Sequence, residues 1–457
     1  MFENIINTFR NCFKIPELKS RILFTLVVLG IARVVSMIPA PGLDGATLLD
    51  YFNKQSQGGG LLGMYSMFTG GALERCAIGA LGIMPYISAT IILQLLTAVM
   101  PQLSKLAREE GGRTKIIQYG RYLTVIICLG QGFFTAIGWE KAETIFPGLG
   151  KSLVLYENLW WYRIQTAILI TTATLLLMWL GEQITDRGIG NGISLIISVG
   201  ILARMPKAVQ AFCDMFRDTE TTGVQLVVFK TIALVFVLLG VIAGVIAVTQ
   251  AQRKVPVQYA QRAIGRKVVQ GQTSFLPLRL NFTGVMPIIF AQALLMLPKS
   301  LFDTIGRSYQ INWLTKLGAV LSEDKAMYLV LYGTLILLFS YFWVATQFNE
   351  IQIADDLKKY GGYIPGVRPG QATADFLHNA MSRITLAGAI FMIIIAIIPT
   401  LLNQAMRVDY NIGTFFGGTS VLILVGVMLD TMRQMESHLL MRHYDGFLKK
   451  GRLKGRF

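Results

Sequence analysis

The sequence predicts an all-α polytopic membrane protein whose ten transmembrane helices form two inverted halves of five around a central path. The chain of 457 residues is 53% hydrophobic and only 15% charged, whereas soluble domains carry about 25% charged residues. Its apolar residues lie in long uninterrupted runs rather than in short amphipathic stripes. Its basic residues gather in alternate loops, which is the pattern of a chain that crosses a membrane many times.

The apolar runs define the ten spans in chain order. Each run is bounded by charged or turn-forming residues, and most are long enough to cross a hydrocarbon core of roughly 30 Å. The spans are Ile22–Ala40, Cys76–Met100, Tyr122–Gly138, Trp160–Gly181, Ile189–Ala203, Thr231–Thr249, Leu280–Pro298, Ala326–Phe348, Ile384–Leu402 and Phe415–Leu429.

The stretch Gly58–Pro101 combines a full span with an apolar segment that is too short to cross the membrane. Cys76–Met100 has 25 residues without a charge, which is enough for a transmembrane helix. Leu61–Thr69 precedes it, and Gly70-Gly71 separates the two. A short apolar helix beside a full span has to be buried in protein or fill a cavity.

The loops on the two sides of the membrane differ in charge. Of the 42 basic residues, 26 fall on the side that also holds both termini, with 12 acidic residues, whereas the other side has 12 basic and 13 acidic residues. An excess of lysine and arginine marks the cytoplasmic face, so both termini are expected there. Two halves of five spans then enter the membrane from opposite sides, which suits an inverted repeat with a path at the interface.

Several classes of function lack the residues that they need. The four scattered cysteines and three histidines suggest neither a disulfide framework nor a metal site, and no glycine-rich stretch reads as a nucleotide-binding loop. No carboxylate lies at mid-depth in a span, which argues against proton-coupled transport. We therefore expect no catalytic residues, no metal and no cofactor. The N-terminus also lacks the features of a removable signal peptide.

Isoleucines mark one helical face in two of the spans. Ile83 and Ile87 are four residues apart, as are Ile193 and Ile197, so each pair shares a face. A single membrane isoleucine more often faces lipid or packs against a neighbouring helix. If several such faces converge, however, a ring of branched aliphatic side chains excludes water and blocks ions.

Two long basic loops project on the cytoplasmic side. Gln250–Arg279 contains six basic residues and no acidic one, and its alternating segments Lys254–Tyr259 and Lys267–Gln272 predict a β-hairpin. In Asn349–Arg383, prolines and glycines form a turn with Arg368 at its tip. These charges could face anionic lipid. Alternatively, they form a docking surface for a large acidic partner such as RNA or protein.

Several motifs are specific enough to indicate a family. The segments GALGIMPYISATIILQLL (Gly79–Leu96) and LMWLGEQITDRGIGNGIS (Leu177–Ser194) closely resemble two signature segments of the SecY family, the central subunits of bacterial protein-translocation channels. The similarity extends over nearly the whole chain and includes ADDLKKYGGYIPGVRPGQAT and FFGGTSVLILV. It implies ten helices around a central pore.

The resemblance assigns roles to individual residues inside the membrane. It implies that an aliphatic ring seals the resting pore, at Ile83, Ile87, Ile193, Ile197, Ile289 and Ile423. A plug helix at about 61–70 would contribute Leu61, Leu62, Met64, Tyr65, Met67 and Phe68. Spans two and seven would form a lateral gate through which signal sequences and membrane anchors leave. Candidates for polar contacts along this gate are Ser88, Gln94, Gln131 and Gln292.

The resemblance also implies partners on the cytoplasmic side. The loop residues that match the family's docking site for the SecA motor ATPase and the ribosome are Arg253, Lys254, Arg266, Lys267 and Arg368. The small membrane subunits SecE and SecG, signal-sequence-bearing polypeptides and membrane lipid are further expected partners. One segment departs from the family, because Asn349-Glu350-Ile351-Gln352 stands where the family commonly has Asn-Pro-Arg-Glu. A contact through that arginine is therefore not carried over.

These observations predict a protein-conducting channel of the bacterial inner membrane, driven by a partner ATPase or a translating ribosome, and not an enzyme. It would pass unfolded secretory polypeptides across the membrane and release membrane segments sideways into lipid. The alternative is an inverted-repeat secondary transporter. The expected organisation is a cytoplasmic segment (1–21), an N-terminal half (22–205), an external connection (206–223), a C-terminal half (224–434) with cytoplasmic loops at about 250–280 and 349–383, and a basic cytoplasmic tail (435–457).

Overall fold

Long α-helices follow one another in the order of the apolar runs. The computed structural model describes residues 15–54, 66, 68–109, 111–142, 152–217, 224–259, 262–264, 267–269, 273–282, 284–308, 310–322, 325–406, 412 and 419–450. Its helices are α1 (Pro16–Val35), α2 (Gly45–Lys54), α3 (Met84–Val99), α4 (Pro101–Arg108), α5 (Gly112–Glu140), α6 (Leu159–Arg187), α7 (Gly192–Leu202), α8 (Met205–Arg217), α9 (Val224–Gln250), α10 (Met286–Ser308), α11 (Asn312–Val320), α12 (Ala326–Gln347), α13 (Glu350–Lys359), α14 (Gln371–Met406) and α15 (Thr419–Lys450).

The predicted class of helical membrane protein is confirmed. Within the described ranges, seven helical segments are long and apolar enough to cross a membrane, and the bent pair of α3 and α4 would make an eighth. The first and last predicted spans overlap α1 and α15. The count of ten spans stays a prediction.

The second span differs from the uninterrupted helix expected over Cys76–Met100. The helix begins only at Met84, because the chain before it contains left-handed residues at Cys76 (φ 48°) and Gly82 (φ 57°). This irregular segment is buried against the chain that follows α1, where the Ala40 amide donates a 2.8 Å hydrogen bond to the Cys76 carbonyl. Irregular backbone at membrane depth is tolerated when protein groups satisfy it in this way.

Two ion pairs fasten the antiparallel hairpin of α5 and α6 at its two ends. Arg121 pairs with Glu182 at 2.8 Å. At the other end, the Arg163 guanidinium makes two hydrogen bonds to Glu140, of 2.7 and 2.9 Å, and lies 5.0 Å from the Trp160 ring centroid. A bidentate pair of this kind fixes orientation as well as charge. The two ion pairs therefore hold α5 and α6 together at both ends of the hairpin.

A small β-structure projects between α9 and α10. The strand β1 (Gln252–Tyr259) pairs antiparallel with β4 (Thr273–Arg279), β5 (Gly362–Tyr363) joins the other edge of β1, and β2 (Arg262–Ile264) pairs with β3 (Lys267–Val269). The expected hairpin exists, but the partner of its first strand is 273–279 rather than 267–272. Val255 and Val257 of β1 and Leu278 of β4 are buried in one cluster with Phe348, which follows α12, and Leu377 of α14. Because a shift of one residue would turn these side chains away from that cluster, the cluster fixes the register of the strands.

Two of the expected connecting or terminal segments contain helix. The connection expected at 206–223 begins with α8, and α15 continues as one helix to Lys450, past the expected start of the tail at 435. The amide of Gly190, in the loop before α7, donates a 2.8 Å hydrogen bond to Gln434 Oε1, and Arg433 donates to the Thr249 carbonyl at the end of α9. The part of α15 around Arg433 and Gln434 thus contacts both the end of α9 and the loop before α7.

Candidate functional site

The six isoleucines predicted to form a ring lie in one hydrophobic cluster at the centre of the molecule. They come from four different places: the start of α3, the start of α7, α10 and α15. Five of them are at most 3% exposed, and the sixth is partly buried against the same cluster. The five are Ile83, Ile87, Ile197, Ile289 and Ile423, and the sixth is Ile193. The six residues thus share one buried cluster, and their arrangement as a ring stays a prediction.

Small residues allow two members of the ring to approach closely. A Cβ atom built on Gly181 of α6 would lie 3.4 Å from Ile193 Cγ1 and 3.5 Å from Ile83 Cδ1, so both isoleucines pack on this glycine. Gly82, with φ of 57°, turns the chain immediately before Ile83, and Pro85 then starts α3 with the backbone angle that a first helical turn needs. Backbone chemistry thus places Ile83 at the head of its helix, inside the cluster.

Only the end of the predicted plug lies among the described residues. Leu61, Leu62, Met64, Tyr65 and Met67 lie outside them, whereas Phe68 is 4% exposed and belongs to the same hydrophobic cluster as the ring. A small crevice is lined by Phe68, Thr69, Gly82 and Ile83, among others. Phe68 therefore lies beside the first ring isoleucine. Gly70 and Gly71, which follow, have φ of 66° and 85°.

The helix α10 of span seven contacts α3 of span two, as a lateral gate between these spans requires, and it also contacts α5. Ser88 and Gln292 are buried in this region, at 8% and 1% exposure. The buried amide oxygens of Gln94, Gln131 and Gln292 have no hydrogen-bond partner among the described atoms. A buried polar atom without a partner costs roughly 1–3 kcal/mol.

The predicted docking residues fall on exposed parts of the projecting loops where the structure describes them. Arg253 and Lys254 are exposed on β1, and Arg368 is exposed on a turn whose carbonyl at Arg368 accepts a 2.9 Å hydrogen bond from the Thr373 hydroxyl. Lys267 begins β3. Arg266 lies outside the described residues. The basic side chains that the structure describes are therefore carried by folded elements, namely β1, β3 and the turn at Arg368, which together are called the basic platform.

The segment that departs from the family forms the start of α13. The Asn349 side chain accepts a 3.1 Å hydrogen bond from the Gln352 amide and so caps the helix. Glu350 contacts His378 Nδ1 at 2.9 Å. Ile351, where the resemblance led us to expect an arginine, is 57% exposed. The usual positive charge is thus replaced by an exposed apolar side chain next to a carboxylate.

A cluster of charged residues around the end of the plug was missed by the sequence reasoning. The cluster consists of Arg33, Glu74, Arg204 and Lys207. In the structure all four lie around Ser66 and Gly70. An available signal was Glu74 itself, since a carboxylate between apolar segments requires a partner.

The described residues contain no group of three or more histidine, cysteine or acidic residues that could hold a metal ion. What the described residues do offer is a buried cluster rich in aliphatic side chains, the end of a short segment next to it, and exposed basic residues on a small folded loop structure. Together with the apolar helices, these features define the class of a polytopic helical membrane protein.

Comparison with known proteins identifies the family. The SecY family model matches residues 77–432. SecY of Chlamydia trachomatis is 41% identical over 464 residues, which cover 98% of this chain and 99% of the relative. SecY of Escherichia coli K12 is 41% identical over 440 residues, covering 96% of each. The chain belongs to the SecY family.

Solved structures have the same fold. A protein-conducting channel superposes with a TM-score of 0.62 at 18% identity, covering 95% of this chain and 94% of the other. Sec61 of the canine ribosome-channel complex gives 0.59 at 17% identity with the same coverage. The chain is accordingly a subunit of a protein-translocation channel, and the alternative of a secondary transporter is not favoured.

Proposed function

We propose that the six clustered isoleucines form the closed gate of the channel and that the segment at about 61–70 is its plug. The observation that carries this proposal is that α3, α7, α10 and α15 bring five nearly inaccessible isoleucines and one partly buried one into a single cluster with Phe68. A narrow aliphatic constriction resists ions by excluding water. Its side chains have no directional bonds to break, so they can part around an extended polypeptide and close again. In a related SecY protein, the plug domain stabilises the closed state and maintains a membrane seal.

The lateral gate is proposed to lie where α10 meets α3 and α5. The unpartnered amide oxygens of Gln94, Gln131 and Gln292 support this location, because a seam with unsatisfied polar atoms is easier to separate. Ser88, on α3, is the fourth polar residue assigned to it. When the seam opens, an apolar segment in the pore exchanges water for lipid and is stabilised by that transfer. Polar segments remain in the path.

The basic platform is proposed to dock a motor or a ribosome at the cytoplasmic face. Related channels are known as complexes with ribosomes, namely canine Sec61 and yeast Ssh1. For this chain, exposed Arg253, Lys254 and Arg368 supply positive charge for an acidic protein surface or for RNA. SecA is the proposed motor, and SecE and SecG are the proposed small subunits.

The proposed location is the bacterial inner membrane with both termini in the cytoplasm, as the loop charges favour. The halves 22–205 and 224–434 are proposed to be the inverted units that separate during opening, joined by the external connection 206–223. The segments 1–21 and 435–457 would remain cytoplasmic.

Reversal of one exposed charge tests the docking role. We expect Arg368→Glu to impair SecA-driven translocation in vesicles reconstituted with SecE and SecG, because it places a carboxylate against an acidic partner. The matched control is Lys316→Glu, which reverses an exposed charge on α11, at the opposite end of the protein. Normal translocation by the Arg368 variant, with the variant inserted at the level of the control, would contradict docking at this turn.

A further inference from the structure

The described end of the plug is held by a network of charged hydrogen bonds. Ser66 is fully buried, and its hydroxyl donates to Glu74 Oε1 at 2.8 Å while it accepts from Arg204 Nη2 at 2.6 Å. Arg204 also pairs directly with the Glu74 carboxylate, and Lys207 Nζ lies 3.2 Å from Glu74 Oε2. A hydroxyl is one of the few groups that can donate and accept in this way at the same time.

A second contact fixes the glycines that follow. Arg33 of α1 donates a 2.6 Å hydrogen bond to the Gly70 carbonyl. Gly70 itself has φ of 66°, a left-handed backbone angle that favours glycine. The plug end is therefore bound from two sides, by α1 and by the chain at the junction of α7 and α8.

We propose that Ser66, Glu74 and Arg204 form a latch that positions the plug in the closed channel. The inference rests on the plug role proposed above and names the residues that determine how readily the plug leaves. Their position favours this function over simple stabilisation of the fold. Glu74 and Arg204 pair across two structural elements, and Ser66 is the one member of the network that belongs to the plug itself.

The arrangement of the charges makes the latch reversible. Glu74 is flanked by two cations, and its side chain is 7% exposed while that of Arg204 is 12% exposed. When Ser66 leaves, Glu74 keeps Arg204 and Lys207 as partners, so opening strands no buried charge. The polar part of the cost of opening is the loss of the hydrogen bonds of Ser66 and Gly70. Loss of Glu74, in contrast, would leave Arg204 without its carboxylate.

The test measures resting ion conductance in reconstituted channels that contain SecE and SecG. Ser66→Ala removes both hydrogen bonds of the hydroxyl and leaves the Glu74–Arg204 pair intact. Because hydrogen bonds to charged groups are individually strong, we expect the frequency of open events to rise roughly tenfold or more. Glu74→Gln should also leak, and the exchange of charges in Glu74→Arg with Arg204→Glu should restore part of the seal.

Two controls separate the latch from other effects. Arg163→Gln breaks a partly buried ion pair, at 19% and 13% side-chain exposure, that includes no residue of the latch, and should leave conductance unchanged. A channel lacking residues 61–70 should leak whether or not the latch exists. If that deletion leaks and Ser66→Ala and Glu74→Gln do not, the latch is wrong and the plug stands. If the deletion does not leak, the plug role itself is wrong.

Discussion

The seal of the channel can be tested by making its constriction wettable. The substitution pair is Ile83→Ser with Ile197→Ser, one residue from the start of α3 and one from α7. Both side chains are almost inaccessible, at 2% and 1% exposure, so each receives the full benefit of burial in the closed state. Serine is smaller and hydrogen-bonds to water. The double variant therefore removes apolar contact and introduces polar groups in the same place.

The size of the effect follows from the burial of the two side chains. Complete burial of an isoleucine is worth about 1.5–3 kcal/mol, so the pair contributes about 3–6 kcal/mol to the closed state relative to a wet, open constriction. Since 1.4 kcal/mol corresponds to a factor of ten, the open fraction should rise by about 10²–10⁴. This range is an upper bound, because isoleucines in an open pore still retain part of their contacts.

The assay is single-channel conductance of the reconstituted complex in the absence of substrate. The matched control is Ile390→Ser with Ile394→Ser, another pair four residues apart. These side chains lie on α14 and are 45% and 44% exposed on the outside of the protein. We expect frequent ion-conducting events in the ring variant and rare ones in the control. Equal conductance in the two variants would refute the assignment of these isoleucines to the gate.

Two further predictions concern the frame around the gate. Gly192→Ala should lower the thermal stability of the detergent-solubilised complex, because its Cβ would lie 2.0 Å from the Gly181 carbonyl oxygen. The control is Gly240→Ala, where the surrounding space is open. This variant should be as stable as the native chain or more stable by up to about 1 kcal/mol. Equal melting temperatures would contradict the close approach. Arg163→Gln should lower the stability by roughly 1–3 kcal/mol, because it removes the bidentate partner of the partly buried Glu140. An unchanged melting temperature would mean that the pair contributes nothing.

The membrane class and the order of the helices could be predicted because they depend on local composition. An uninterrupted apolar run has few alternatives to a helix in lipid, since every backbone group must be paired within the segment. The two isoleucine pairs could also be seen, because spacing along a helix determines which residues share a face. Their convergence required the family resemblance, since helix packing cannot be read from one chain's periodicity.

The features that sequence did not reveal depend on contacts between distant segments. The start of α3 at Met84 depends on a left-handed residue at Cys76 and on the hydrogen bond from Ala40, neither of which has a local signature. The pairing of β1 with 273–279 depends on a core supplied about 100 residues later by α14. The network around Ser66 joins residues up to 138 positions apart.

The gate and the latch meet different physical demands on the same pore. The isoleucine cluster holds by non-directional contact, so it loses stability gradually as its members separate, and it re-forms around any polypeptide shape. Hydrogen bonds to Ser66 weaken steeply with small displacement, because they depend on distance and angle. A seal made only of isoleucines would therefore lose its stability gradually as it opens. A plug that is hydrogen-bonded through Ser66 has instead one well-defined closed position. Because Glu74 retains two cations after release, that distinct position is obtained without stranding a buried charge, and the plug can return to it after each substrate.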